Sequence, residues 1–264
     1  MPSPRIMIEK VTPEIDGGKF PVKRIVGEKV VVRANVFADG HDEVKADLLY
    51  RAADQAEWHE VPMKALGNDA WAASFTIEKP VDYLYTIRGY ICEFSCWCHD
   101  LKKRVDAGTD VAVELQIGAA LVKAAAGRAK GAEAAKLQGW AGALSKPGNT
   151  AAALKLAFSD ELYTCMDAHL DLEKSVLHPK ELVIYVDRAK AGFSAWYEFF
   201  PRSWGAKPGE HGTFRDCARI LPEISRMGFD VIYLPPIHPV GRAFRKGKNN
   251  ATTCTPQDPG SPWA

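Results

Sequence analysis

The chain has 264 residues, which at about 150 residues per domain predicts two domains, or one domain and part of a second. Hydrophobic residues make up 47% and charged residues 25% of the chain, which is the balance of a globular protein and excludes a disordered one. The formal net charge of +1 supplies no broad positive field, so non-specific nucleic-acid binding is excluded as the main function. Any anion site must therefore be local.

The amino terminus and the longest apolar runs predict where the protein works. No apolar segment of signal-peptide type follows Arg5, and no apolar run approaches the ~18 residues of a membrane span. We therefore expect a cytoplasmic protein with no membrane partner. Six cysteines are too few for a disulfide scaffold, and we expect reduced, mainly buried thiols.

The first hundred residues show the period of β-strands. Val30, Val32, Ala34 and Val36 share one face of a first strand. Turn clusters separate four further segments with this pattern, at residues 48–51, 58–61, 71–76 and 83–90. Short strands at this spacing predict a β-sandwich over residues 1–105.

Two tryptophans and a cysteine cluster in this region allow a functional and a structural interpretation. Trp58 and Trp71 lie among alternating apolar positions, which favours the core over an exposed platform for sugars. The cluster of Cys92, Cys96 and Cys98 with His99 lacks the paired knuckles of a structural zinc site. We interpret residues 92–104 as strand, with Cys96 and Cys98 buried on one face, and predict no metal.

The period changes after residue 105. Val111, Leu115, Gly118 and Val122 follow helical spacing, and an Ala-rich run continues to residue 144. After a break at Pro147-Gly148, a second helical stretch extends to residue 170. We predict an inserted α-helical bundle over residues 106–181, and a strand at 182–188 that returns to complete the sandwich.

The last part of the chain predicts a β-α-β unit. An aromatic strand is predicted over residues 193–200, and a helix of about four turns begins at the N-cap Thr213, with Asp216 as a weak capping box. Gly228 terminates this helix as the C′ residue, although Pro222 inside it is an objection, and an apolar strand follows to residue 234. Two parallel strands do not form a stable domain, so we interpret residues 191–264 as the incomplete start of a (β/α)8 barrel. Either the chain is a fragment or a partner supplies the rest.

A basic loop follows the second of these strands, at residues 235–250. It contains four cations and no carboxylate: Arg242, Arg245, Lys246 and Lys248. Such a density of donors suits a phosphate, and loops after barrel strands line the catalytic face. The alternative is a solvated basic turn.

Other residues near this loop also allow two interpretations. His238 is either a substrate donor or a residue bonded to a loop carbonyl. Trp196, Tyr197 and Glu198 offer an aromatic platform and a carboxylate to a sugar, but for Trp196 packing is the favoured interpretation.

Several long motifs in this order resemble the α-1,4-glucan:maltose-1-phosphate maltosyltransferases of the α-amylase superfamily. The motifs are FSAWYEFFPRS at 193–203, MGFDVIYLPPIHP at 227–239, RKGKNN at 245–250 and PGSPWA at 259–264. WCHD at 97–100 and AGTDV at 107–111 extend the resemblance into the N-terminal half. The resemblance covers essentially the whole chain.

The resemblance implies a multidomain fold and a reaction. It implies an N-terminal β-sandwich with a helical insertion, both contributing to a homodimer, followed by a catalytic (β/α)8 barrel. The implied reaction moves a maltosyl unit from α-maltose 1-phosphate to the non-reducing end of an α-1,4-glucan and releases phosphate. No cofactor or metal is implied.

The resemblance also implies site residues. The lysine of its Arg-Lys-Gly-(Arg/Lys)-Asn-Asn motif contacts the donor and corresponds to Lys246, whereas Lys248 occupies a variable basic position. Our candidate substrate-binding residues are Lys246, Lys248, Asn249, Asn250 and His238. Retaining transfer needs two carboxyl groups about 5 Å apart, and we expect the Asp nucleophile and the Glu acid/base beyond residue 264, so no catalytic residue is assigned.

Two alternative functions belong to other classes. The sandwich and the missing carboxylates are compatible with a non-catalytic carbohydrate-binding or dimerisation module. An amylase-like hydrolase or a branching enzyme shares the barrel but explains the RKGKNN segment less well.

Overall fold

A computed structural model describes residues 5–258, 260 and 261 of the chain. The chain divides into two compact units, Met1–Asp187 and Arg188–Ala264, which we call the N-terminal unit and the C-terminal unit. Within the described residues, no helix is long and apolar enough to cross a lipid bilayer.

The N-terminal unit contains two main sheets. Its described strands are β1 (Ile6–Thr12), β2 (Val22–Ile25), β3 (Lys29–Ala38), β4 (Val44–Ala52), β5 (His59–Pro62), β6 (Lys64–Gly67), β7 (Ala70–Thr76), β8 (Tyr83–Ile91), β9 (Val176–Leu177) and β10 (Leu182–Asp187). One sheet has the order β1-β3-β7-β6 and is antiparallel. The other has the order β2-β10-β8-β4-β5, with β9 paired to β8.

Both sheets contribute to one buried hydrophobic cluster. Val30, Val32 and Val36 of β3 are buried, and the alternation predicted for this strand is confirmed. Tyr85 and Ile184 join the same cluster from the second sheet. Each sheet therefore buries one face, as its period of two requires.

The two tryptophans of this region have different surroundings. Trp71 is half-buried against the core cluster, and its indole Nε1 donates to the Val36 carbonyl at 3.0 Å, which confirms the predicted packing. Trp58 is also half-buried, but the Arg51 guanidinium stacks 4.9 Å from its ring centroid, and the core cluster does not include it.

Five helices of the described chain separate β8 from β9. They are α1 (Glu93–Asp106), α2 (Ala112–Arg128), α3 (Gly131–Leu144), α4 (Thr150–Ala157) and α5 (Asp160–Ala168). Buried side chains from all five form a second hydrophobic cluster, which includes Trp97, Leu115 and Val122. The helical spacing predicted from Val111 to Val122 is confirmed, whereas the break between α4 and α5 was not predicted. At that break Ser159 caps α5 by accepting from the Leu162 amide.

The strand interpretation of residues 92–104 is wrong, because α1 begins at Glu93. Phe94, Trp97 and Leu101 are buried at spacings of three and four, so this stretch presents one apolar face as a helix. Cys96 and Cys98 consequently do not share a strand face. Aromatic residues and cysteine are compatible with strands, but here the helical burial pattern decides.

β10 joins the sheet after the long helical segment. It pairs antiparallel with β8, Leu182 opposite Tyr85, and parallel with β2, Ile184 opposite Val22. The predicted return of a strand near residue 182 into this sheet is therefore confirmed. The pattern did not reveal β1, β2, β6 or β9.

The C-terminal unit begins with a β-α-β arrangement. Its described strands and α-helices are β11 (Trp196–Glu198), α6 (Phe214–Ala218), α7 (Leu221–Arg226) and β12 (Val231–Tyr233), and the two strands pair in parallel. The first strand is shorter than the predicted 193–200, and two short helices replace the single helix. Pro222 lies in the first turn of α7, where its missing N–H costs nothing, so the chain restarts a helix there.

The predicted ends of this helical segment are confirmed. Thr213 caps α6 in a full capping box with Asp216, each accepting a backbone N–H of the other. Gly228 follows the C-cap of α7 with φ +90°, the left-handed conformation that glycine adopts without strain.

Candidate functional site

The candidate site begins where β12 ends. A small core of Phe199, Cys217 and Ile224 holds the β-α-β arrangement together, and the Tyr197 and Phe229 rings pack edge to face on it at 5.0 Å. This core places the basic loop, residues 235–250, directly after the second parallel strand. Loops in that position lie at the carboxyl edge of a parallel sheet, where ligands of α/β proteins bind.

The RKGKNN segment has a backbone that restricts its residue types. A Cβ atom at Gly247 would lie 2.1 Å from the Thr253 carbonyl oxygen, so only glycine fits there. Lys248–Asn250 forms a single 3-10 turn in which Asn249 and Asn250 have φ of 55° and 61°. Asparagine tolerates this left-handed conformation better than most residues. The Gly247 amide closes the turn by donating to the Ala251 carbonyl at 2.9 Å.

The four cations of the loop differ in exposure. Lys246 and Arg245 are half-buried, whereas Arg242 and Lys248 are exposed. A Cβ atom at Gly260 would lie 2.8 Å from Arg245 Nε, so the main chain at residue 260 packs directly on this side chain. Lys246, which the resemblance assigns to the donor, is therefore less exposed than its neighbour Lys248.

A carboxylate outside the loop faces these cations. Asp258 accepts from the Thr255 amide at 2.7 Å and from its hydroxyl at 3.0 Å. These hydrogen bonds, together with the charges of Arg245 and Lys248, lower the pKa of Asp258. Sequence reasoning missed this residue, although the spacing of Thr255 and Asp258 is that of a capping box.

Four of the five predicted substrate-binding residues lie next to one another around Gly247, and the fifth, His238, lies apart from them in the loop. Lys246, Lys248, Asn249 and Asn250 are consecutive around the Gly247 turn and expose amide and ammonium donors suited to phosphate or sugar oxygens. His238 is exposed and lies 3.2 Å through Nδ1 from the Pro239 carbonyl, which is the loop bond that we considered as its alternative role. No hydrogen bond or ion pair among the described residues joins His238 to the four others.

The aromatic segment before the loop has an exposed indole. Trp196 is 59% exposed and donates from Nε1 to Ser194 Oγ at 2.8 Å, so the packing that we favoured for it is not seen among the described residues. Tyr197 packs in the small core instead, and Glu198 is exposed.

The cysteine cluster has the properties of structural thiols. The Cys96 sulfur accepts from the Glu43 amide at 3.0 Å, and burial raises the pKa of Cys98 to about 12. Among the residues that the structure describes, no three His, Cys, Asp or Glu side chains are arranged to hold a metal ion. Neutral thiols of this kind are poor metal ligands and poor nucleophiles.

Comparison with known proteins gives one family throughout. Residues 4–188 match the model of the "Alpha-1,4-glucan:maltose-1-phosphate maltosyltransferase, domain N/S". Relatives named α-1,4-glucan:maltose-1-phosphate maltosyltransferase are 50% identical in Chlorobaculum tepidum, 45% in Methylacidiphilum infernorum and 44% in Myxococcus xanthus. Each alignment covers 98% of this chain.

The chain spans 39% to 40% of the length of these three relatives. The family model matches the N-terminal unit from residue 4 to its end and continues to residue 188. The alignments with the relatives cover 98% of the chain and therefore include the basic loop of the C-terminal unit. The chain therefore belongs to the α-1,4-glucan:maltose-1-phosphate maltosyltransferase family.

Proposed function

We propose that this chain is the N-terminal portion of a retaining maltosyltransferase. The reaction moves a maltosyl unit from α-maltose 1-phosphate to the non-reducing end of an α-1,4-glucan and releases phosphate. The observation that carries the proposal is the match of residues 4–188 to the N/S domain of that family, together with 50% identity to a maltosyltransferase across 98% of the chain.

The basic loop supplies the donor site in this proposal. Lys246 and Lys248 neutralise the phosphate, and the amides of Asn249 and Asn250 donate to phosphate or sugar oxygens. His238 contributes at the edge of the site. The negative charge of Asp258 attracts Arg245 and Lys248 and offsets part of the repulsion between these two cations.

The catalytic carboxylates belong to later barrel strands in this proposal. Double displacement needs a nucleophile and an acid/base about 5 Å apart. We assign both to the part of the enzyme that follows residue 264, so this chain by itself is inactive. No cofactor or metal takes part.

The finer architecture is part of the same proposal. The two sheets form a β-sandwich that strand 182–188 completes, the helical insertion predicted over residues 106–181 begins earlier, at Glu93, and residues 191–264 open the (β/α)8 barrel. The shared core of the two sheets and the parallel pairing of β11 with β12 support this arrangement. We further propose a cytoplasmic homodimer that uses the sandwich and the helices.

The test compares Lys246→Ala with the matched variant Lys248→Ala in the enzyme that carries the whole barrel. Phosphate release from α-maltose 1-phosphate with maltohexaose as acceptor measures kcat/KM. A charge-assisted hydrogen bond to phosphate is worth about 1.5–3 kcal/mol, so Lys246→Ala should lower kcat/KM roughly 10- to 100-fold. Lys248→Ala should cost much less. Equal, small decreases in kcat/KM for the two variants would show that the loop is a solvated basic turn and not a donor site. Absence of any maltosyl transfer by the unmodified enzyme would refute the proposed reaction.

A further inference from the structure

One phenylalanine of the basic loop is almost completely exposed. Phe244 is 99% exposed, the highest value for a large apolar residue in the part of the chain that the structure describes. Its neighbours Arg242, Arg245 and Lys246 are cations of the loop. A single exposed apolar residue is common at protein surfaces, so exposure alone indicates nothing. The backbone of Phe244 is what sets it apart.

Phe244 has a left-handed backbone, with φ of 55°. The other non-glycine residues with positive φ, within the described chain, are asparagine, aspartate or lysine. For a bulky side chain this conformation is an outlier that destabilises the folded chain. Such strain persists only where the surrounding structure imposes it, and it clusters at ligand clamps and active sites.

The surrounding structure holds both sides of this segment. A Cβ atom at Gly260 would lie 2.7 Å from Val240 Cγ1 and 2.8 Å from Arg245 Nε, so both side chains pack on the main chain at residue 260. Residues 241–244 therefore connect two points that are fixed against the same segment. Phe244 lies immediately before the second point, and its ring remains in solvent.

The ring is close in the sequence to the lysine of the candidate donor site. Phe244 and Lys246 are two residues apart, so their Cα atoms are at most about 7 Å from each other. Lys246 offers a charge-assisted hydrogen bond to a phosphate. A flat aromatic ring offers an apolar surface to the C–H face of a pyranose. A sugar phosphate carries both kinds of surface in one molecule.

We propose that the Phe244 ring packs against a pyranose ring of the maltosyl group when α-maltose 1-phosphate is bound at the basic loop. This assignment rests on the proposed function, because it takes the loop as the donor site. Phe244 is then a specificity-determining residue for the sugar part of the donor, and the loop cations recognise the phosphate part.

The competing role for an exposed phenylalanine is packing against a part of the protein that follows residue 264. The two roles differ in the shape that they require. An apolar packing site accepts leucine at a small cost, because its volume and polarity are similar. Stacking on a sugar requires a flat ring, so tyrosine replaces phenylalanine and leucine does not.

The experiment uses the enzyme that carries the whole barrel, with maltohexaose as acceptor. The variants are Phe244→Ala, Phe244→Leu and Phe244→Tyr. The matched control is Phe20→Ala, which removes a 52% exposed phenylalanine of the N-terminal unit. Two quantities are measured for each variant that circular dichroism shows to be folded: kcat/KM for α-maltose 1-phosphate, and the inhibition constant of inorganic phosphate.

We expect Phe244→Ala and Phe244→Leu to lower kcat/KM for the donor roughly tenfold, and Phe244→Tyr to retain most of it. The inhibition constant of phosphate should stay unchanged in all three, whereas Lys246→Ala should raise it. Phe20→Ala should change neither quantity. If Phe244→Ala does not fold, the comparison of leucine with tyrosine decides.

Three results would overturn the assignment. They are an unchanged kcat/KM in Phe244→Ala and Phe244→Leu, equal activity of the leucine and tyrosine variants, and weaker inhibition by phosphate in Phe244→Ala, which would mean that the ring only supports the loop. Transfer that is insensitive to residue 244 refutes this role alone. Absence of transfer by the unmodified enzyme refutes the proposed function and this role with it.

Discussion

Replacing Gly118 in the middle of α2 by alanine tests the packing of the helical region. A Cβ atom at residue 118 would lie 2.0 Å from Trp97 Cζ2 and 2.4 Å from Cε2, so the methyl group and the indole cannot both keep their places. Trp97 is buried, packs on Phe94 at 5.3 Å between ring centroids, and donates from Nε1 to the Glu114 carbonyl at 2.7 Å. Displacing the ring therefore strains the cluster and breaks this hydrogen bond.

The expected cost of Gly118→Ala follows from three contributions. Overpacking a core costs about 1–3 kcal/mol, and a buried N–H without a partner costs about 1–3 kcal/mol. The better helix propensity of alanine returns about 1 kcal/mol, which leaves a loss of about 3 kcal/mol in the free energy of unfolding. At a denaturant slope of about 2 kcal/mol/M, the urea midpoint should fall by roughly 1.5 M.

The assay is urea unfolding followed by far-ultraviolet circular dichroism, with Gly139→Ala as the matched control. Gly139 lies inside α3, and nothing stands within 4 Å of a Cβ atom there. Its replacement should therefore stabilise the chain by up to about 1 kcal/mol. If Gly118→Ala is neutral or stabilising like Gly139→Ala, the contact between α2 and Trp97 is not as described.

Two further predictions concern titration and thiol reactivity. Lys190 Nζ at 2.6 Å and the Ala195 amide at 3.1 Å donate to the Asp230 carboxylate and lower its pKa. The ionised carboxylate therefore stabilises the folded state at pH values above the unfolded pKa of about 3.9. This contribution is lost as the pH falls through the lowered pKa of the folded state. Asp230→Asn should accordingly be less stable than the unmodified chain to urea at pH 7, with the difference closing below about pH 4; a difference that persists undiminished at pH 2 contradicts the ion pair. Iodoacetamide near neutral pH should modify the exposed Cys254 first, because burial raises the pKa of the Cys96 and Cys98 thiols. Peptide mass spectrometry measures the rate of labelling at each cysteine. Labelling of Cys98 as fast as that of Cys254 would contradict the burial of the Cys98 face of α1.

The parts of the fold that sequence predicted are those in which local chemistry and tertiary packing agree. β3 alternates between valine or alanine and polar residues, and its partners bury the predicted face. Thr213, Asp216 and Gly228 mark helix ends because their preferences act within one turn. Short edge strands such as β2 and β6 have too few alternating residues to stand out, and they form because a neighbouring strand offers hydrogen bonds.

The error over α1 has a specific cause. Phe94, Trp97 and Leu101 follow helical spacing, but Cys96 and Cys98, two residues apart, also satisfy one face of a strand over a short window. The packing of Trp97 against Gly118 decides between the two, and that contact joins residues distant in the sequence.

The candidate loop was located from its charge, its position after an apolar strand and the family resemblance, but its geometry was not predicted. Clustered lysine and arginine after an apolar strand predicted an anion site at residues 235–250. The tight approach of Gly247 to Thr253, and the carboxylate of Asp258 beside the cations, depend on how residues after 250 fold back. A pattern confined to the loop contains no information about either.

The position of β10 in the sequence, after β8 and five helices, constrains how the N-terminal unit folds during synthesis. Ile184 pairs with Tyr83, so strands β8 and β10 are separated by about a hundred residues of chain and their contact has a high loop-closure cost. During synthesis β8 leaves the ribosome first, and one of its edges stays without β10 until all five intervening helices have emerged. At about 5–20 residues per second that interval lasts roughly 5–20 s, ample time for two nascent chains to pair edge to edge. Packing of the helices around Trp97 shortens this search, because it returns the chain to β8, where Val176 lies opposite Gly89 and Leu182 opposite Tyr85.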